Sequence, residues 1–574
     1  MSPRTFRAPR AVLSLAVAVA LVGCAASPEA TTPTPPATSA GHAFKPAIDG
    51  ADFAEHTRTL ASDEFEGRAP GSAGEEKTVE YLAAQFARMG LEPGNNGSWF
   101  QTVPMVETTA DPSTSLTLDV NGKPRTLAFG TDMVVGTRTA KTNVKLDASQ
   151  LVFVGYGVNA PERGWNDYAG LDVKGKTVVM LINDPGFHTQ DAALFDGKAM
   201  TYYGRWTYKF EEAARQGAAG AIIVHDDLGA AYGWDVVKNS WSGAQFDLRA
   251  SDDPEPRLPV QGWITQAQAT SLFKDLGHDL DALYKQASRK GFKAIPLKAR
   301  ASVNLNSTVT EKSSRNVVAR LPGRTRPDEA IVYMAHWDHL GNHGHEGHGE
   351  AATAGADAIY NGAIDNATGV AGILEIAEAF ARRAQRPERS LVFVPVTLEE
   401  SGLLGSKYYV ANPAVPLKNT VAVINLDAMP ITPRAKDMTV IGYGNSELED
   451  LLAAAAKSQG RVLTPEPTPE HGYYFRSDHF NFAKAGVPAL YAKGGDDLMQ
   501  GGVEGGRALA QDYRANRYHK PSDEFDPAWT YEGVVLDLQA LYEVGAVLAD
   551  GQAWPRWREG NAFRAAQDRL RGTR

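Results

Sequence analysis

EAIVYMAHWD, residues 329–338, is a near-continuous apolar run that stops at a histidine and an aspartate. Two further runs have the same form. RSLVFVPVTLEE (389–400) ends at Glu399 and Glu400, and NTVAVINLD (419–427) ends at Asp427. Runs this apolar predict strands covered on both faces, as in a parallel sheet packed between helices. From about residue 314 to 550 such strands alternate with helical patterns, which predicts an α/β fold. In an open α/β sheet, ligands bind beyond the carboxyl ends of the strands. The polar residues ending these three runs are therefore expected on one edge.

Two more segments carry candidate residues for that edge. NGAIDNATGVAGILEIAEAFARR (361–383) sets Asp365 and Asn366 just before a helix whose Val370, Ile373, Leu374, Ala377 and Phe380 have core-facing spacing. Asp365 alone would read as a helix cap rather than a ligand. RYHKPSDEFD (517–526) places His519 in a Pro-marked loop. His336 and Asp338, two apart on a strand, point to one side, so Asp338 can serve as the group that orients a ligating imidazole. The set is then His336, Asp365, Glu400, Asp427 and His519. Two imidazoles and three carboxylates without a thiolate suit one or two ions such as Zn²⁺. Of the adjacent Glu399 and Glu400, one can bind metal while the other accepts a proton.

The rest of the chain narrows the context. A formal net charge of −10 argues against nucleic acid as a partner. The only cysteine, Cys24, excludes an internal disulfide framework. It follows a basic segment and the apolar AVLSLAVAVALV, which together read as a secretory leader. LVGC resembles a bacterial lipoprotein signal, which implies lipidation of Cys24 and a cell-envelope location facing the periplasm or the surface, and Ala25, rather than Asp, is compatible with outer-membrane sorting. The expected organisation is a leader (1–23), a Pro/Thr/Ala-rich linker (24–45), an N-terminal part of the main domain (46–147), a β-rich insertion (148–308), the main domain (309–555) and a basic, solvated tail (556–574).

VGYG, DYAGLDVKGK and EEAARQGAAGAIIV resemble a protease-associated (PA) domain. AHWDHLG, GAIDNATGVAG, TLEESGLLGS, NLDAM, SDHFNFAKAGVPA and YHKPSDEFD resemble, in order, the aminopeptidase-Y-type dizinc peptidases, a family that also includes glutamate carboxypeptidase-like members and the transferrin-receptor branch. SDEFEGRAPGS near the N-terminus is similar to the family's too. The resemblance implies a zinc-exopeptidase fold with an inserted PA domain and two Zn²⁺ ions. Asp365 would bridge them, His336 and Asp427 completing one site and Glu400 and His519 the other. It further implies Glu399 as general base, Asp338 as the orienting carboxylate, a cis peptide after Asp365, and peptide substrates. An aminopeptidase is the leading expectation. A carboxypeptidase, a non-peptidase binding protein and a glutaminyl cyclase-like acyltransferase are the alternatives. Oligomeric state is not legible, and membrane contact is expected only through the lipid.

HGYYFRSDHF (471–480) and KGGDDLMQGGVEGGRALAQDYR (493–514) are the candidate pocket loops. Tyr473, Tyr474 and Phe475 read as apolar lining or as packing, and Arg507 or Arg514 as a surface charge or a carboxylate clamp. His339 is expected to pack or hydrogen-bond near the site. His343, His345 and His348 read as a Gly-rich loop rather than as ligands.

Overall fold

Four parallel strands form the centre of the first sheet, in the order Arg389–Val396, Arg326–His336, Thr420–Asn425, Ala489–Gly494. The computed structural model describes residues 45–253, 255–342 and 357–572. Cys24, the leader, the linker up to residue 44, and His343, His345 and His348 lie outside the described residues. Among the described residues no helix is long and apolar enough to cross a membrane.

Period-2 geometry divides each central strand between two cores. Ile331, Tyr333 and Ala335 face helices Gly50–Leu60, Ala73–Met89, Thr368–Ala381 and Glu532–Asp550. Val332 and Met334 face the opposite layer, with Tyr409, Phe480 and Phe482. Both faces are thus covered, which is why these strands are apolar throughout. Val370, Ile373, Leu374, Ala377 and Phe380 are all buried in the first core. Short strands complete the eight-stranded sheet, with antiparallel pairing on both flanks, so it is mixed and mostly parallel as expected.

A second, ten-stranded sheet is built from residues 100–317. Its parallel core, Thr177–Leu181 and Gly220–Val224, is again buried at every position. The boundaries expected at 147/148 and 308/309 do not fall between elements. The first lies inside strand Asn143–Phe153 and the second inside Ile295–Val317. Residues 100–136 also join this sheet rather than the first. The reason is one continuous ladder: Phe100–Ala110 pairs antiparallel with residues 307–317, and such long-range pairing leaves no local signal. The same long strand leads directly into the first sheet at Ala319–Leu321, and the described residues cluster as one compact unit.

The C-terminal segment is also corrected. Through residue 572 it is docked along one face and solvated on the other. Trp557 is fully buried against Phe563, and the Arg571 guanidinium donates to the carbonyls of Thr420 (2.7 Å) and Val421 (3.0 Å).

Candidate metal centre

Strand Arg326–His336 delivers His336 to the carboxyl edge of the first sheet, where it is 1% exposed. Its Nε2 lies 3.3 Å from Asp365 Oδ1 and 3.5 Å from Asp427 Oδ1. On the other side, His519 Nε2 lies 3.2 Å from Asp365 Oδ2 and 3.2 Å from Glu400 Oε2. The five residues singled out from the sequence are therefore together, although the most distant are separated by 183 positions (336 to 519). Asp365 gives one oxygen to each half. Ligand-bearing atoms of His336, Asp365 and Asp427, and of His339, Asp365 and Glu400, come within 4.8 Å of one another.

The Asp365 loop is held from several directions. The Asp365–Asn366 peptide is cis, as the family resemblance implied. Asp365 does not cap the following helix. That work falls to Asn366, whose Oδ1 accepts from Gly369 N (2.9 Å) and Ala428 N (3.1 Å), linking the helix start to the loop bearing Asp427. Gly362 precedes the loop at φ 52, and a Cβ there would lie 2.1 Å from the Asp365 carbonyl oxygen. Only glycine tolerates both demands.

Three supports hold the site, of which only His339 is expected there from the sequence. Asp523 accepts the backbone N–H groups of Ile364 (3.1 Å) and Asp365 (3.0 Å). Arg68, 1% exposed, donates to the carbonyls of Trp337, Leu60, Asn361 and Gly362. It thereby ties the N-terminal segment to both the His336 strand end and the Asp365 loop. His339 Nδ1 lies 2.7 Å from Glu400 Oε1. Arg68 and Asp523 sit inside quoted motifs, EGR and SDEFD, but they act on backbone, which a residue pattern does not display.

Asp338 takes a different part from the one expected. The atom that orients His336 is the Asp338 backbone carbonyl, 3.1 Å from Nδ1, whereas its carboxylate is 3.8 Å away. That carboxylate instead accepts the backbone N–H of Glu399 at 3.2 Å, because the turn after residue 396 brings Glu399 over the strand end. Glu399 is half-buried, with ligand-bearing atoms of His336 and Glu400 within the same 4.8 Å limit.

Charge and unpaired atoms test whether cations fit here. Asp338, Asp365, Glu399, Glu400 and Asp427 crowd one site, and Asp338 Oδ2 and His339 Nε2 are buried without a hydrogen-bond partner. Burial opposes protonation of His519, yet Glu400 and Asp365 hold its imidazolium up to about 10. Burial likewise opposes a charged His336, and the carboxylates around it, Glu399 foremost, prevail and raise it well above its usual value. The surroundings thus demand positive charge at both imidazoles, and a divalent ion bound to the nitrogen in place of a proton meets that demand. Nitrogen and oxygen donors without thiolate fit zinc.

Residues 316–541 match the family model described as Peptidase family M28. This segment, fewer than half of the 574 residues, contains all four central strands and all five candidate ligands. Aminopeptidase NAALADL1 of Mus musculus is 25% identical over 169 residues, 29% of this chain and 20% of the mouse protein. A glutamate carboxypeptidase 2 homolog of Caenorhabditis elegans is 31% identical over 204 residues, 34% of this chain and 23% of the nematode protein. The chain thus covers about a fifth to a quarter of the length of these relatives. Among solved structures, an aminopeptidase from Aneurinibacillus sp. strain AM-1 is similar at 22% identity, over 88% of this chain and 95% of that one, with a TM-score of 0.47.

Proposed function

We propose that the protein is a two-zinc exopeptidase, an aminopeptidase acting on peptides. The single observation that supports it most is the division of the Asp365 carboxylate, one oxygen toward His336 and one toward His519. This is the arrangement a carboxylate shared by two ions requires. His336 and Asp427 would hold one Zn²⁺, and Glu400 and His519 the other. Bound zinc supplies a Lewis acid for the scissile carbonyl and a water of lowered pKa.

The remaining steps belong to the chain. Burial, opposed by His336 but reinforced by Glu400 and Asp427, lifts the Glu399 carboxyl well above the usual range. A carboxylate so placed takes the proton of the attacking water and returns it to the leaving amine. Asp338 fixes Glu399 through its backbone N–H. Asp523 and Arg68 keep the Asp365 loop in register with the strand ends.

The sequence supports three further parts of this reading: export by the 1–23 leader, anchoring at the cell envelope through lipid on Cys24, and a PA-type identity for the second sheet. The test of the central activity uses zinc-loaded protein on two peptide sets, one N-acetylated and one C-amidated. Cleavage confined to the amidated set is the aminopeptidase result. Cleavage confined to the acetylated set would assign a carboxypeptidase, and no cleavage of either would overturn the exopeptidase reading.

A further inference from the structure

A cavity of about 400 Å³ opens beside Glu399 and Glu400, walled by residues of the first sheet's loops on one side and of the second sheet on the other. Most of its charged lining is internally paired. Glu211 meets Lys484 at 3.2 Å, Asp253 meets Lys407 at 2.8 Å and Arg257 at 3.0 Å, and Asp247 meets Arg138 at 3.1 Å. Glu255 lies 3.4 Å from Arg215.

Two cations in the lining differ. Arg205 and Arg476 make no ion pair with a carboxylate among the described residues. Arg205 is only 8% exposed, and its Nε has no acceptor. On Arg476 both Nε and Nη2 are buried without one. Its guanidinium carbon lies 5.8 Å from the ring centroids of both Tyr232 and Tyr473, contacts that hold it without neutralising it. Burial and the neighbouring Arg476 charge bring Arg205 down to about 9. The N-terminus of helix Trp206–Arg215 starts at Arg205 and adds a further positive end. Two like charges, Arg205 buried and Arg476 half-buried, whose open donors are shielded from water are unfavourable until an anion fills the gap.

We propose that Arg205 and Arg476 bind a carboxylate of the peptide substrate, extending the site from Glu399 into this cavity. The inference rests on the exopeptidase reading for the identity of the ligand. A guanidinium fork suits a carboxylate geometrically. The carboxylate is either the free C-terminus of a short peptide or an acidic side chain beyond the scissile bond. An aminopeptidase with this subsite would cleave amidated peptides, but with a higher KM than the free acids.

The test measures binding separately from turnover. Zinc-loaded Glu399→Gln protein is titrated calorimetrically with trialanine, with its C-terminal amide, and with an amidated tripeptide ending in glutamate. A carboxylate is expected to tighten binding about 10- to 100-fold over trialanine amide. Trialanine gaining this advantage assigns the C-terminus, and the glutamate peptide gaining it assigns the side chain. Arg476→Met, and Arg205→Met where it folds, are expected to cut the advantage below about 3-fold. Equal binding of all three peptides, no binding of any, or an undiminished advantage in Arg476→Met would overturn the inference. Carboxylate-selective binding without cleavage by the zinc-loaded wild type would sink the exopeptidase reading alone.

Discussion

Asp523 holds Asp365 from behind. Its Oδ2 accepts the Asp365 backbone N–H at 3.0 Å, while the Asp365 side chain reaches forward to His336 and His519. A group that fixes a ligand's backbone sets how well its carboxylate is presented. Asp523→Ala is expected to weaken zinc binding about 10- to 100-fold, the usual range for lost outer-shell support. Competition with a chelator of known affinity measures this, and unchanged affinity would remove Asp523 from the account.

Glu399 is assigned proton transfer rather than metal ligation. Glu399→Gln should keep the zinc content of the wild type while kcat falls about 10²- to 10⁴-fold. Near-normal turnover in that variant would contradict the assignment.

Arg68 satisfies four carbonyls on three separate segments. Lysine keeps the charge but not the planar fork, so Arg68→Lys leaves buried acceptors unmet at about 1–3 kcal/mol each. The expected result is a melting temperature lowered by several degrees, in metal-free as well as zinc-loaded protein. An unchanged melting temperature would show that lysine or water replaces the fork.

Glu375, on helix Thr368–Ala381, provides a pH signature outside the set of candidate ligands. Burial pushes its carboxyl up to about 8, against the Asp49 N–H bond, which lowers it, and with a smaller push upward from Glu378. The folded state therefore holds a proton between about pH 4.5 and 8 that the unfolded state has released. By linkage this contribution is full below the unfolded value and is lost as pH rises through that window. Glu375→Gln should melt above the wild type at pH 8–9 and close to it at pH 4.5. A variant less stable at pH 9 would contradict this.

The parts legible in the sequence were those in which one local pattern carries the signal. The apolar strands ending at His336, Glu400 and Asp427 have to be buried, so their polar ends had to share an edge. Helix Thr368–Ala381 shows its core-facing spacing directly. Placement of 100–136 was hidden, because the partner of Phe100–Ala110 lies some 200 residues away. Asp338 was given the wrong contact because a sequence does not distinguish its carboxylate from its backbone carbonyl as the acceptor for His336. Arg205 and Arg476 stand in no sequence pattern that marks them, and of the two readings of Arg507 and Arg514 the surface charge is the one the structure supports. The structure leaves Arg507 65% exposed beside Asp496 and Arg514 on the surface. Tyr474 is packed away among aromatics, and Phe475 does line the cavity.

The sharing of Asp365 between two ions is tested most directly by counting zinc. Wild-type protein saturated with Zn²⁺ and freed of excess should contain two ions per chain, and His519→Ala should contain one. A saturated wild type holding a single zinc, or a His519→Ala variant that still holds two, would contradict the account.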